Sequence, residues 1–169
     1  TCQRSDGRTH VWDAVERPRK VKDVVAAFAV TPERTVVLIE QFRPPVETRV
    51  LELPAGLCDQ PGEAFEAAVC RELREETGCI GEAAYSTPPS AESSGTIVSR
   101  LHLFLVRVDE RGAPERDAAE EFMAPIVVEL PLDDLPAALL RYAAKHPDHL
   151  IAPKILPGRQ WWQYCNGGA

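Results

Sequence analysis

Residues 63–77, EAFEAAVCRELREET, contain no Gly or Pro and are rich in Ala, Glu, Leu and Arg, all good helix formers. Pro61-Gly62 precede the stretch and Gly78 follows it, so the punctuation predicts one helix over 63–77. At about 100° per residue, Phe65, Val69, Glu72 and Glu76 share one line along that helix, and Glu75 falls within the same arc of ~100°. A stripe that begins apolar and core-facing therefore ends in acid. The three carboxylates repel one another. They also sit at the negative end of the helix dipole, which costs roughly 0.3–1 kcal/mol for each nearby carboxylate. Arg71 and Arg74 offer partial relief, with Arg71–Glu75 an i,i+4 pair in the less favourable order.

A solvated charged face would more naturally carry its acids at the start of the helix. This arrangement calls for a positive charge that the sequence does not supply. Hard divalent cations take oxygen ligands, and Mg²⁺ commonly combines a few carboxylates with substrate phosphates. A carboxylate cluster cancelled by Mg²⁺ points to phosphate chemistry.

The bulk properties narrow the partners. The chain has 169 residues, enough for one domain with a proper core, and is read as a single domain over 1–169. Its net charge of −7 argues against nonspecific nucleic-acid binding, which needs a basic surface. It leaves room for a small anionic substrate if metal ions supply local positive charge. No apolar stretch approaches ~18 residues, so no membrane span is expected, and no leader pattern is visible at the start. The five cysteines, Cys2, Cys58, Cys70, Cys79 and Cys165, include no CxxC pair. They read as reduced thiols of a cytosolic protein, with spacings that fit no usual zinc pattern.

Alternation and turn residues outline the rest. Strands are expected at 9–17, 21–30, 34–42, 49–57, 79–86, 99–108 and 122–130. The 21–30 and 34–42 runs are separated by TPE, which suggests neighbours joined by a tight turn. Residues 86–96, STPPSAESSGT, read as a loop, and 133–146 as an amphipathic helix with an Asp cap. The tail from 151 is expected to be helical in part. The order of strands and helices implies an α/β fold, a mixed sheet with helices packed on its faces.

From Gly56 the chain runs GLCDQPGEAFEAAVCRELREETGC. Gly56, Glu63, Arg71, Glu72, Leu73, Glu75, Glu76 and Gly78 match the pattern known as the Nudix box, and the sequence resembles the Nudix hydrolase family. Two departures stand out. Six residues separate Gly56 from Glu63 where the usual form has five, and Cys79 occupies the last aliphatic position. The extra residue falls in the CDQPG loop, ahead of the helix, so the carboxylate geometry should survive. LIEQFRPPVETRVLELPAGL and VWDAVER are similar to segments of the ADP-ribose and nucleoside-diphosphate-sugar pyrophosphatase branch.

The resemblance implies a Nudix-type α/β/α sandwich with the catalytic helix at about 63–77. It implies hydrolysis of a nucleoside-diphosphate sugar, such as ADP-ribose, to AMP and a sugar phosphate, with Mg²⁺ as cofactor and Mn²⁺ as a possible substitute. Glu72, Glu75 and Glu76 would be metal ligands with the Ala55 carbonyl, Glu75 completing the cluster or acting as a base. Arg71 would orient the carboxylates, with Glu63 behind it. Arg43 would hold a phosphate. Trp12 matches an aromatic that stacks on the nucleobase, with Asp13 and Arg17 nearby, from the partner subunit of a homodimer with exchanged N-terminal regions (about 1–20). An acid that bacterial ADP-ribose enzymes often carry just before SRLHLFLV is missing here, where Val98 or Ser99 falls. Glu92, in the preceding loop, is the candidate to swing over the metals as base.

VWDAVER points to ADP-sugars. The DQPG loop and the missing acid are similar to the UDP-sugar members, which keeps a UDP-glucose-like substrate open. A Nudix-fold sensor that binds without cleaving is the rival from another class, disfavoured because a pure binder has no need of three crowded carboxylates. His146 and His149, in HPDH, could bind metal but read as a turn after a helix, because Pro147 and Asp148 are turn formers. His102 reads as a half-exposed sheet residue. Trp161, Trp162 and Tyr164 read as packing residues, with a dimer contact as a further reading.

Overall fold

The computed structural model describes residues 2–3, 6–11, 13–16, 21–115 and 124–167. Two central strands set the architecture, β3 (Asp23–Val30) and β4 (Thr35–Arg43). Both are apolar over most of their length and buried on both faces, the signature of strands enclosed between layers. Thr31–Arg34 turn the chain between them, with Arg34 in the left-handed region at φ 59. The two strands pair only beside that turn, at Ala29–Val37 and Val30–Val36. Beyond it each takes a new partner. β5 (Thr48–Glu52) pairs antiparallel with β4, and β6 (Ala55–Leu57) pairs antiparallel with β3. The expected strand 49–57 is thus two strands, divided at Leu53-Pro54.

The rest of the sheet is mixed, as expected. β8 (Arg100–Arg111) runs parallel to β3 from Asp23–Arg100 to Val30–Arg107, and β7 (Cys79–Ser86) runs antiparallel to β8. β9 (Ile126–Pro131) lies antiparallel to β4, and β10 (Leu150–Ile151) parallel to β5. Residues 122–123 of the expected strand at 122–130 lie outside the described residues. At the N-terminus the expected strand over 9–17 is much shorter. β1 (Cys2–Gln3) pairs with β2 (Thr9–His10), and among the described residues farther along this stretch only Val15 makes a bridge, to Ile97.

Alternation along β3 divides the core in two. Val25, Ala27 and Ala29 face α1 (Phe65–Thr77), which contributes Ala68, Val69 and Leu73. Val24, Ala26, Phe28 and Val30 face α2 (Leu135–Lys145) and α3 (Ile155–Cys165), which contribute Leu135, Leu139, Tyr142 and Ile155. The result is an α/β/α sandwich. Gly158 lets α3 lie close to the sheet, since a Cβ there would come 2.4 Å from Phe28 Cδ2. Trp161 and Trp162 pack half-buried against this second core, whereas Tyr164 is exposed. Asp134 precedes α2 without making a capping hydrogen bond, and its carboxylate accepts from Arg141 at 2.8 Å instead. Among the described residues no helix is long and apolar enough to cross a membrane.

Candidate active site at the acidic end of α1

The stripe predicted for α1 is realised. Val69 is buried, Phe65 packs beside it, and Glu72, Glu75 and Glu76 emerge half-buried one to two turns later. Gly78 ends the helix in the left-handed region, at φ 76, with its N–H on Arg74 O. β6 lies against this end of the helix and supplies the site's floor. The Ala55 N–H donates to Glu76 Oε2 at 3.0 Å. Gly56 leaves the space that the Glu72 carboxyl fills, since a Cβ there would fall 1.9 Å from Glu72 Cδ.

Arg71 organises the acids. Its Nε and one terminal nitrogen donate to Glu63 at 2.9 and 3.1 Å. The other terminal nitrogen reaches Glu72 at 2.8 Å and Glu75 at 3.0 Å, and a further contact reaches Leu57 O at 3.3 Å. One planar fork thus serves three carboxylates and a carbonyl, a task a lysine could not share out. Arg74 does not relieve the cluster. It pairs with Glu115 at 3.2 Å.

Relief is also uneven. Glu72 and Glu75 turn onto Arg71, while Glu76 turns away to Ala55. Burial pushes the Glu76 carboxyl up to about 8, with Glu72 and Glu52 adding to the rise and the Ala55 N–H and Arg43 opposing it. Glu72 is also raised by burial and by Glu75 and Asp59, against the pull of Arg71. An all-oxygen donor set whose carboxyls are raised by burial suits a hard divalent cation such as Mg²⁺.

Arg43, the expected phosphate holder, lies within electrostatic reach of Glu76 and Glu92. Its fork is taken up by Glu52, at 2.5 and 3.0 Å, while its side chain remains 42% exposed. The sequence reading passed over Glu52 and Asp59. Their signal was a lone acid in the apolar run RVLELP and a second in CDQPG. Glu92 is held in its loop by Lys154 at 2.8 Å and Ser99 at 3.3 Å. Asp13 is exposed on the N-terminal segment. Trp12 and Arg17 lie outside the described residues.

Two histidines differ from expectation. His102 is buried, not half-exposed. It meets Asp23 Oδ1 at 2.8 Å and packs on Phe65 at a ring distance of 4.1 Å. His149 does follow the α2 turn, but its Nδ1 lies 3.4 Å from Glu40 Oε2. The cysteines Cys58, Cys70, Cys79 and Cys165 are free thiols. Burial, with Asp23 and Glu63 nearby, pushes Cys58 up to about 11, so it is no nucleophile.

The sequence pattern of the NUDIX domain matches residues 20–152. An ADP-sugar pyrophosphatase from Mus musculus is 37% identical over 142 residues, covering 76% of this chain and 63% of its own. An ADP-ribose pyrophosphatase from Bacillus subtilis is 33% identical over 122 residues, covering 70% of this chain and 63% of its own. The chain therefore spans less than two thirds of the length of these curated relatives. A crystal structure of an ADP compounds hydrolase shares the fold, with a TM-score of 0.67 at 19% identity over 98% of this chain and 84% of that one.

Proposed function

The chain belongs to the Nudix family, and on that premise we propose that it is a Mg²⁺-dependent pyrophosphohydrolase that cuts the diphosphate bond of ADP-ribose or a related ADP-sugar. The products are AMP and a sugar phosphate. The observation that carries this reading is the acidic end of α1, where Arg71 arrays Glu63, Glu72 and Glu75 and the Glu76 carboxylate turns onto the Ala55 N–H beside them. The names of the mouse and Bacillus relatives support the substrate class.

Glu72, Glu75, Glu76 and the Ala55 carbonyl would hold Mg²⁺, or Mn²⁺ in its place. A bound divalent cation supplies charge neutralisation for the diphosphate and acidifies the attacking water. The chain does the positioning. Arg71 fixes the directions of Glu72 and Glu75. Arg43 presents its exposed edge to a phosphate oxygen, while Glu52 keeps the guanidinium plane from turning. Glu92 leaves Lys154 and takes a proton from the attacking water as the water oxygen bonds to one phosphorus, the bridging P–O bond breaks and the other phosphate departs. Catalysis then rests on orientation and on charge placed where it develops.

Trp12, Asp13 and Arg17 receive the nucleoside, from the partner subunit of a homodimer. The exposure of Val11 (75%) and Val15 (62%) supports a covered N-terminal segment. The free thiols support a cytosolic setting.

The test is product release from ADP-ribose, ADP-glucose, UDP-glucose, GDP-mannose and a nucleoside triphosphate, with and without Mg²⁺. Metal-dependent AMP release from an ADP-sugar, lost in Glu76→Gln, is the expected result. UDP-glucose is included because the CDQPG loop favours that second substrate. Binding without turnover on every compound would replace the enzyme reading by that of a sensor. Unchanged turnover in Glu92→Gln would move the base to a box glutamate.

A further inference from the structure

We infer that the chain carries a second metal site, for a transition-metal dication of the Zn²⁺ class, built from Glu40, His146 and His149 on the sheet face opposite α1. Glu40 continues the alternation of Val36 and Leu38, which belong to the core under α2 and α3, while Val37 faces α1. This inference does not depend on the reaction proposed above.

Each of the three residues offers one ligand atom, and the three atoms lie within 4.8 Å of one another. They come from separate elements. Glu40 is buried on β4, paired with Leu51 of β5 and Ile126 of β9. His146 is the residue at which α2 ends, and His149 ends the turn that follows. That turn is fixed, because the His149 N–H donates to His146 O at 3.0 Å and Thr48 Oγ1 donates to Asp148 O at 2.5 Å. β10 then anchors the chain to β5.

The geometry suits zinc. Ligands ~2.0–2.1 Å from a tetrahedral ion stand roughly 3.4 Å apart. His149 Nδ1 and Glu40 Oε2 already lie 3.4 Å apart. The His146 ring stacks on His149 at a centroid distance of 4.8 Å, so a rotation of that side chain completes the set. Outer partners orient the ligands. The Tyr142 hydroxyl donates to Glu40 Oε2 at 2.5 Å, and Arg49 reaches Glu40 Oε1 at 3.3 Å. The Tyr142 oxygen also lies 3.1 Å from His149 Nδ1, so the phenol sits beside both Glu40 Oε2 and His149 Nδ1. Glu40, Tyr142 and His146 line a cleft of ≈ 330 Å³, together with Arg141 and Lys145. Two imidazoles and one carboxylate favour Zn²⁺ over Mg²⁺, whose preference for oxygen directs it to the box.

The experiment uses the full chain, stripped of metal by a chelator and returned to excess Mg²⁺. It is titrated with Zn²⁺ by calorimetry and with Co²⁺ by visible absorption. One equivalent of Zn²⁺ is expected to bind, and Co²⁺ to develop the strong visible bands of a low-coordinate nitrogen site. His146→Gln and His149→Gln should abolish both signals, Tyr142→Phe should weaken Zn²⁺ binding by about 10–100-fold, and Glu76→Gln should leave it intact. Circular dichroism checks that each variant folds. If His149→Gln fails to fold, His146→Gln decides, because that ring makes no hydrogen bond to Glu40. Absence of Zn²⁺ binding under excess Mg²⁺ overturns the inference. So does binding that survives both histidine variants, or binding lost in Glu76→Gln. Failure of the diphosphosugar assay leaves these outcomes untouched.

Discussion

Replacing Glu76 by Gln is expected to stabilise the metal-free protein, and to do so more strongly as pH rises. Burial pushes the Glu76 carboxyl up to about 8 in the fold, against an ordinary value of 4.5. At pH 7 the folded chain holds a proton that the unfolded chain has released. A carboxyl raised in this way contributes fully below pH about 4.5, and the contribution is lost as pH climbs toward 8. At about 1.4 kcal/mol per pH unit, the loss reaches about 3 kcal/mol at pH 7. Glutamine escapes it, but its carboxamide must re-form the hydrogen bond from the Ala55 N–H in a site shaped for a carboxyl, which costs about 1 kcal/mol. The net gain is about 2 kcal/mol at pH 7, or about 4–8 °C in Tm for a chain of this size. The assay is thermal unfolding of both proteins in chelator at intervals from pH 5 to pH 8.5. The Tm difference should be smallest at pH 5 and level off near pH 8. Saturating Mg²⁺ should then raise the wild-type Tm more than that of the variant. A difference that stays constant with pH, or a variant less stable than wild type at pH 8, would refute the account of a carboxyl whose charge is penalised by burial.

Three other outcomes follow from the same geometry. Gly56→Ala places a methyl where the Glu72 carboxyl lies, so kcat should fall sharply and Mg²⁺ affinity drop, while circular dichroism stays native. Arg71→Lys keeps the charge but cannot divide it among Glu63, Glu72, Glu75 and Leu57 O; denaturant titration should show a loss of about 2–4 kcal/mol, together with a large loss of kcat. Gly158→Ala forces a methyl onto the Phe28 ring, and overpacking of that kind costs about 1–3 kcal/mol. Its Tm should drop while turnover at low temperature stays near wild type.

What the sequence made legible was local. The Gly and Pro punctuation bracketed α1 to within two residues, because a helix and its stop are encoded within one stretch of chain. The apolar runs of β3 and β4 and the clear alternation of β8 were equally visible. The acids of α1 could be placed on one face by arithmetic alone. Pairings across the fold could not. The Arg43–Glu52 fork depends on the register of β4 against β5. Arg74 looked available to the box because Glu115 is distant in sequence. His102 alternates correctly as a strand residue, but whether it is wet or dry depends on Phe65 arriving from α1. The turn at 146–149 was read from Pro147 and Asp148, which describe the backbone and are silent about Glu40, more than a hundred residues earlier in the chain. Asp134 looked like a cap because aspartate commonly is one, and Arg141 claimed it instead.

The bridge between Val15 and Ile97 ties the N-terminal segment to the loop that carries Glu92. The Val15 N–H donates to Thr96 O at 2.7 Å, and the Val98 N–H donates to Val15 O at 3.0 Å. The loop that carries Glu92 is also fastened by the Ser90–Leu101 pair, so it is slung between two backbone moorings. One of the two belongs to the N-terminal segment. A cut before residue 21, or a binding partner that draws the segment away, would release the loop on that side while leaving both cores intact. If Glu92 acts as proposed, N-terminal processing would then register as altered turnover in a protein of unchanged melting temperature, with the N-terminal arm acting as a tether on the Glu92 loop.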